Sequence, residues 1–234
     1  MAHVCTVAGG KGGVGKTTTT IDLGVALADR GFDVAIVDGD LGMTNLAGMI
    51  GLDHGPTLHD ALAGEVTPRE ATVEGPGGVA VLPGSERLSA FASADPANLA
   101  PVLDAIRPNY DAIVVDTGVG LSQETVVPME LADSALLVST PDEVAVADAR
   151  KMATLADHVD TRVLGSVVTR ARPETSVPDL SADLDLTVLA AVPEDPAATA
   201  DEPLVLESPD SYAAEAYRTL ARKVGQYVTA RASQ

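Results

Sequence analysis

Short apolar runs alternate with longer amphipathic stretches along most of the chain. The apolar runs, typical of buried strands, lie at residues 3–8, 32–37, 79–83, 110–120, 135–139, 163–169 and 186–192. Helical spacing of apolar residues follows the first run, occupies the interval from Val144 to Leu155, and returns in a C-terminal helix predicted over about 209–229. This alternation predicts a three-layer α/β fold, with a mostly parallel twisted sheet covered by helices on both faces.

The chain length, 234 residues, suits one domain, predicted over 1–234, because no linker, internal repeat or low-complexity tract divides it. The apolar runs are too short to cross a bilayer, and Met1 opens directly onto a strand-like segment. We therefore expect a cytoplasmic protein.

A glycine-rich loop joins the first apolar run to the first helix. Gly10, Gly15, Lys16 and Thr17 have the spacing of a P-loop, whose backbone N–H groups wrap phosphates at a helix N-terminus. Lys16 is expected to reach the β- and γ-phosphates, and Thr17 to ligate Mg²⁺ directly. The predicted nucleotide-binding residues of the loop are Gly10, Lys11, Gly12, Gly13, Val14, Gly15, Lys16, Thr17 and Thr18.

Carboxylates stand where two of the apolar runs end. Asp38 and Asp40 follow the second run, and Asp116 closes the core of the run at 110–120. Side chains at the carboxyl ends of parallel strands face the ligand crevice of an open sheet. These three aspartates are therefore expected near the P-loop.

The segment from Lys11 to Thr18, with two lysines, resembles the deviant Walker A motif of the MinD/ParA family of ATPases. The later motifs come in that family's order, and the segment 38–46 is most similar to the MinD branch. The resemblance implies a P-loop NTPase fold with ATP and Mg²⁺ as cofactors and a catalytic set of Lys11, Lys16 and Asp40. In this reading Lys11 reaches the partner's ATP in an ATP-bound homodimer, and Asp40 activates the attacking water. Asp38 and Asp116 support the magnesium through water.

The residues that the resemblance places next to the adenine base depart from the family pattern. Pro193 and the two residues after it resemble the family's adenine-side loop, and Thr169 and Arg170 stand where an Asn-Arg pair is usual. Thr169 keeps a hydroxyl but lacks the carboxamide that reads a base edge. Gly118 and Val119 replace the usual Pro-Ala, which predicts a looser switch II.

Charge and cysteine content narrow the functional classes. A formal net charge of −19 disfavours binding to DNA phosphate or to anionic lipid, so no nucleic-acid partner is expected. The excess of Asp and the scarcity of Lys resemble proteins of salt-loving archaea. Cys5 is the single cysteine, which speaks against an iron-sulfur assembly ATPase with paired cysteines. His54 and His59 are interpreted as solvated loop residues rather than metal ligands.

The sequence after Gly225 has one Tyr and lacks Phe, Trp and Leu, so the membrane-targeting helix of MinD proteins is not expected. Direct membrane binding is therefore not expected, and a protein partner could recruit the chain to poles or membrane. The predicted function is a MinD-like switch that dimerises on ATP, hydrolyses it slowly and positions a cellular structure, as in cell division. The alternatives are a ParA-type DNA partition ATPase and a nucleotide-binding module with little hydrolysis.

Overall fold

The computed structural model describes residues 1–195 and 201–232. Within them, eight strands form one sheet: β1 (His3–Gly9), β2 (Val34–Gly39), β3 (Val73–Glu74), β4 (Ala80–Leu82), β5 (Ala112–Val119), β6 (Ser134–Ser139), β7 (Val163–Ala171) and β8 (Val188–Pro193). The strand order is β3-β4-β2-β5-β1-β6-β7-β8, and every neighbouring pair is parallel except β3 with β4. The predicted three-layer α/β class is confirmed.

The described helices cover the sheet. They are α1 (Lys16–Ala28), α2 (Leu46–Met49), α3 (Leu58–Leu62), α4 (Leu88–Ser93), α5 (Leu99–Ile106), α6 (Gln123–Leu131), α7 (Glu143–His158), α8 (Val177–Leu184), α9 (Leu204–Glu207) and α10 (Tyr212–Ala232), with 3₁₀ turns at Pro76–Gly78, Pro96–Asn98 and Arg107–Asn109. Helices α1 and α10 bury one core against the sheet, and α3 and α5 bury another. Because strands alternate their side chains, Val7 joins the first core and Val4 the second.

Strand β7 runs further than the apolar pattern indicates, whereas β5 lies within the run at 110–120. Strand β5 includes Gly118 and Val119, so the residues expected to loosen switch II lie in the sheet. Strand β7 continues to Ala171, which places Arg170 as well as Thr169 inside it. Arg170 has a φ of 51° where the register with β8 shifts, so the irregular backbone hides this extension from sequence periodicity.

The C-terminal helix packs on the domain. Tyr217 and Val228 are buried in the core shared with α1, and Tyr227 packs against its margin. Within the described residues, no helix is both long and apolar enough to cross a membrane. Of the predicted tail, residues 233 and 234 lie outside the described part.

Candidate functional site

The P-loop wraps around the N-terminus of α1. Gly15 takes the position before the helix with a φ of 92°, in the left-handed region that glycine enters without strain. A β-carbon on Gly10 would lie 2.5 Å from Asp148 Cβ of α7, so only glycine allows this approach. The loop backbone is therefore held open at the carboxyl edge of the sheet, where a phosphate chain can enter.

The two lysines of the loop occupy different environments. Lys16 is only 7% exposed, and its charge acts on both Asp40 and Asp116. The side chain of Lys11 is 45% exposed, and its Nζ lies 3.3 Å from Asp142 Oδ1 at the start of α7. Lys16 therefore points into the site, whereas Lys11 lies on its outer rim.

Thr17 and Asp116 are in direct contact. The Thr17 hydroxyl donates to Asp116 Oδ2 at 2.6 Å, and Thr20 donates to the other oxygen at 3.4 Å. Burial raises the pKa of Asp116 to about 6, although the Thr17 hydrogen bond and the Lys16 charge oppose the rise. The carboxylate is thus oriented by α1, and a cation bound beside it would favour its charged form.

Asp38 lies directly beside Asp116 in the register of β2 and β5. It is 1% exposed, accepts from the Leu46 amide at 3.4 Å, and its Oδ1 is buried without a hydrogen-bond partner. Burial first, and the Asp116 charge second, raise its pKa well above the ordinary value. This buried carboxylate oxygen is a position that a bound cation or its water could satisfy.

These oxygens fit Mg²⁺. The donors are the Thr17 hydroxyl and the carboxylates of Asp38 and Asp116, which are hard ligands suited to that ion. Over the described residues, no group of three or more His, Cys, Asp or Glu side chains forms a metal cage. Mg²⁺ usually takes one or two protein carboxylates and keeps phosphate oxygens and waters in the rest of its shell.

Asp40 stands at the mouth of the same crevice, half-buried. Its Oδ1 accepts from the Met43 amide at 3.2 Å, and burial raises its pKa while the Lys16 charge lowers it. Glu124, at the start of α6, faces Asp40, accepts from the Gly42 backbone and has a raised pKa, chiefly from burial. Glu124 is not predictable from the sequence, because no motif near it indicates that α6 turns toward the loop after β2.

Thr169 and Arg170 support the P-loop. Thr169 is buried, and its hydroxyl contacts the carbonyls of Val14 at 2.6 Å and Ser139 at 3.3 Å, while Arg170 donates to the Gly13 carbonyl at 2.8 Å. The hydroxyl expected to face adenine therefore has its hydrogen committed to the loop backbone. The Thr18 side chain, in turn, hydrogen-bonds Glu202.

An open pocket of about 610 Å³ adjoins the outer side of the P-loop. Gly12, Arg170, Arg172 and Glu194 are among the residues that line it, and Arg172 pairs with Glu194 at 3.6 Å. Pro193, which pairs with Ala171 in the sheet, is not among its lining residues in the described chain. Of the loop expected at the base side, Glu194 lines this pocket.

The interpretation of both histidines as solvated loop residues is wrong for His59. His54 lies exposed in the loop before α3, as expected. His59 is 0% exposed and hydrogen-bonded through both ring nitrogens. The surroundings of His59 come from segments far from it in the chain, so spacing alone gives no signal of its burial.

Cys5, the single cysteine, is buried in β1.

A P-loop before a helix, with paired carboxylates on adjacent parallel strands, defines a nucleotide-binding α/β protein. Residues 5–202 match the model of the CobQ/CobB/MinD/ParA nucleotide binding domain. The chain is 38% identical over 232 residues to an uncharacterised ATP-binding protein of Methanocaldococcus jannaschii, covering 96% of this chain and 88% of that one.

Solved structures show the same likeness. The septum site-determining protein MinD of Pyrococcus horikoshii, complexed with Mg-ADP, superimposes with a TM-score of 0.90 at 32% identity over 96% of each chain. The MinC:MinD cell division protein complex of Aquifex aeolicus gives 0.84 at 29% identity, again over 96% of each chain. The chain belongs to the MinD/ParA family of ATPases.

Proposed function

We propose that this protein is a MinD-like switch that dimerises when it binds ATP and separates after slow hydrolysis. The observation that carries the proposal is the unequal placement of the two P-loop lysines. Lys16 is buried beside Asp40 and Asp116, where it serves its own site, whereas Lys11 is held at the rim by an exposed ion pair with Asp142. Exposed pairs are weak, so Lys11 is free to leave Asp142 for the phosphates of a second copy.

The surface around the site supports an interface. Met43, after β2, is 74% exposed, and Leu121, after β5, is 67% exposed. Val144, at the start of α7 after β6, is exposed as well. Because β2, β5 and β6 run parallel, all three side chains lie at the edge of the sheet that carries the P-loop. Apolar groups exposed beside a site are typical of protein interfaces.

The hydrolytic chemistry follows from the carboxylates. Bound Mg²⁺ would neutralise charge that develops on the phosphate oxygens. Lys16 binds the phosphates, Thr17 and Asp116 hold the cation side, and Asp40 orients the attacking water and accepts its proton. Asp40 lies on the loop after β2, so its position depends on the conformation of that loop, which would make turnover slow and open to control by a partner.

The output we propose is spatial: the ATP-bound dimer recruits a protein partner and positions a cellular structure. The similarity to MinD in its complex with MinC supports a protein partner. The net charge of −19 disfavours DNA as the support on which the dimer assembles.

Light scattering of the purified protein at high KCl tests the switch. The wild type should be monomeric with MgADP and dimeric with MgATP. Lys11→Ala should stay monomeric in MgATP, and Asp40→Ala should accumulate as the dimer without releasing phosphate. Lys151→Ala, which removes another exposed lysine paired with an aspartate, is the matched control and should behave as wild type.

Dimerisation of Lys11→Ala at the wild-type ATP concentration would reject the role of Lys11. Normal phosphate release by Asp40→Ala would reject that of Asp40. A wild-type protein that binds ATP but releases no phosphate would instead favour the module with little hydrolysis.

A further inference from the structure

His59 bridges two loops that flank the aspartates of the site. Its Nε2 lies 3.0 Å from the carbonyl oxygen of Leu41, and the Ser85 amide donates to its Nδ1 at 3.0 Å. Because Nδ1 accepts a hydrogen bond, the ring proton is on Nε2, which then donates to Leu41. One neutral tautomer therefore satisfies both loops, and the ring is completely buried between them.

The two loops carry the groups that define the site. Leu41 follows Asp40 directly. Ser85 follows Gly84, whose backbone hydrogen-bonds the Asp38 carboxylate. A β-carbon on Gly84 would clash with the Thr44 side chain, so the two loops are in close contact here. The imidazole thus connects the backbone beside Asp38 to the backbone beside Asp40.

The ring is fixed from its own helix. Thr57 caps α3 through a reciprocal capping box with Asp60, and Asp60 pairs with Arg87 at 3.0 Å. Arg87 lies two residues beyond Ser85, so α3 and the loop after β4 are tied a second time at the surface. The position of His59 relative to Ser85 is therefore set on two sides.

We propose that His59 is a positioning residue for ATP hydrolysis, which holds the loop after β2 so that Asp40 faces the attacking water. It does not touch the nucleotide. The inference rests on the proposed role of Asp40, and it adds that the neutral imidazole maintains that role through Leu41.

Graded substitutions separate the two hydrogen bonds. His59→Gln can still donate to Leu41, His59→Asn can still accept from Ser85, and His59→Phe fills the space with neither. We expect His59→Gln to reduce kcat least, His59→Asn more, and His59→Phe most, by about tenfold to 100-fold. The reason is that small misplacements of a catalytic group are costly. MgATP affinity by calorimetry should stay within about twofold, since the P-loop contacts are intact. His54→Gln, an exposed histidine nearby, is the matched control.

A pH profile gives the readout that a purely structural role would not move. Burial lowers the pKa of His59, opposed by the Leu41 hydrogen bond and the Asp60 charge and aided by Arg87. Protonation would remove the acceptor for Ser85. Because the pKa of His59 is lowered, the wild-type kcat should fall only at a pH below the range in which an ordinary histidine titrates, and His59→Gln should lose this component of the fall.

The outcomes are distinct. His59→Phe with wild-type kcat overturns the inference, and so does a parallel loss of affinity, melting temperature and kcat in all three variants. If His59→Phe fails to fold, equal kcat and equal pH profiles in wild type, Gln and Asn overturn it. Unchanged turnover in Asp40→Ala would reject the proposed function itself, independently of the His59 series.

Discussion

Thr17 donates its hydroxyl to Asp116 across the gap between α1 and β5, at 2.6 Å. The bond joins the residue expected to ligate Mg²⁺ to the carboxylate expected to hold its water shell. This bond aligns the helix expected to bind the phosphates with the strand that carries the acid.

Thr17→Ser should keep this alignment, and Thr17→Val should destroy it. Valine leaves a buried Asp116 oxygen without its strongest donor, at a cost of about 1–3 kcal/mol, and offers no oxygen to the cation. We expect Thr17→Val to lose magnesium-dependent ATP binding, and Thr17→Ser to stay within about threefold of wild type. Calorimetry with ATP, with and without Mg²⁺, measures both; equal magnesium dependence in the two variants would contradict the assignment.

Thr169→Val should weaken nucleotide binding without changing base preference. The hydroxyl links the Val14 carbonyl of the P-loop to the Ser139 carbonyl at the end of β6, so valine removes the donor that these two carbonyls share. Affinities for MgATP and MgGTP should fall by the same factor, about tenfold. Thr187→Val, an exposed threonine ahead of β8, is the control. A selective loss of ATP over GTP would show that Thr169 reads the base after all.

Asp22→Asn should stabilise the protein more at pH 8 than at pH 5. Asp22 is fully buried in α1, accepts from the Val205 amide at 2.9 Å and lies beside Glu202. Burial, and then the Glu202 charge, raise its pKa well above 3.8. The folded state therefore holds a proton that the unfolded state has released, and stability falls as the pH rises through this interval.

Asparagine keeps the acceptor for Val205 and removes that ionisation. Thermal melts at the two pH values measure the difference, with about 1 kcal/mol corresponding to roughly 2–4 °C in a chain of this size. Asp29→Asn, at the exposed end of the same helix, is the matched control. A gain for Asp22→Asn that is equal at both pH values would refute the linkage.

The ATP-locked Asp40→Ala protein should stay in the supernatant when anionic liposomes are sedimented. Stable interfacial binding needs exposed bulky apolar groups and cations. Residues 225–234 hold one cation, Arg231, and Val228 and most of the apolar face of α10 are packed in the core. Pelleting of the locked protein, reversed by deletion of residues 226–234, would instead establish a membrane-cycling dimer.

The amino-acid sequence is enough to determine the fold class and the location of the candidate nucleotide site. Alternating strand and helix patterns specify a parallel sheet, and the P-loop spacing places Lys16 and Thr17 at a helix N-terminus. Aspartates that end apolar runs must then lie at the same edge, since the carboxyl ends of parallel strands meet there. These inferences need only local spacing and one topological rule, which is why Asp38 and Asp116 are found where they were expected.

Tertiary structure decides what depends on distant segments. Thr169 reaches Val14, 155 residues earlier, and Arg170 reaches Gly13, 157 residues earlier. Nothing in the sequence around Thr169 indicates that its hydroxyl supports the P-loop rather than a base. His59 is polar and lies in a loop-rich stretch of the sequence, which predicts a side chain exposed to solvent. Only the approach of the Leu41 and Ser85 backbones supplies the two hydrogen bonds that make its burial possible, because a buried imidazole is stable when both nitrogens are satisfied.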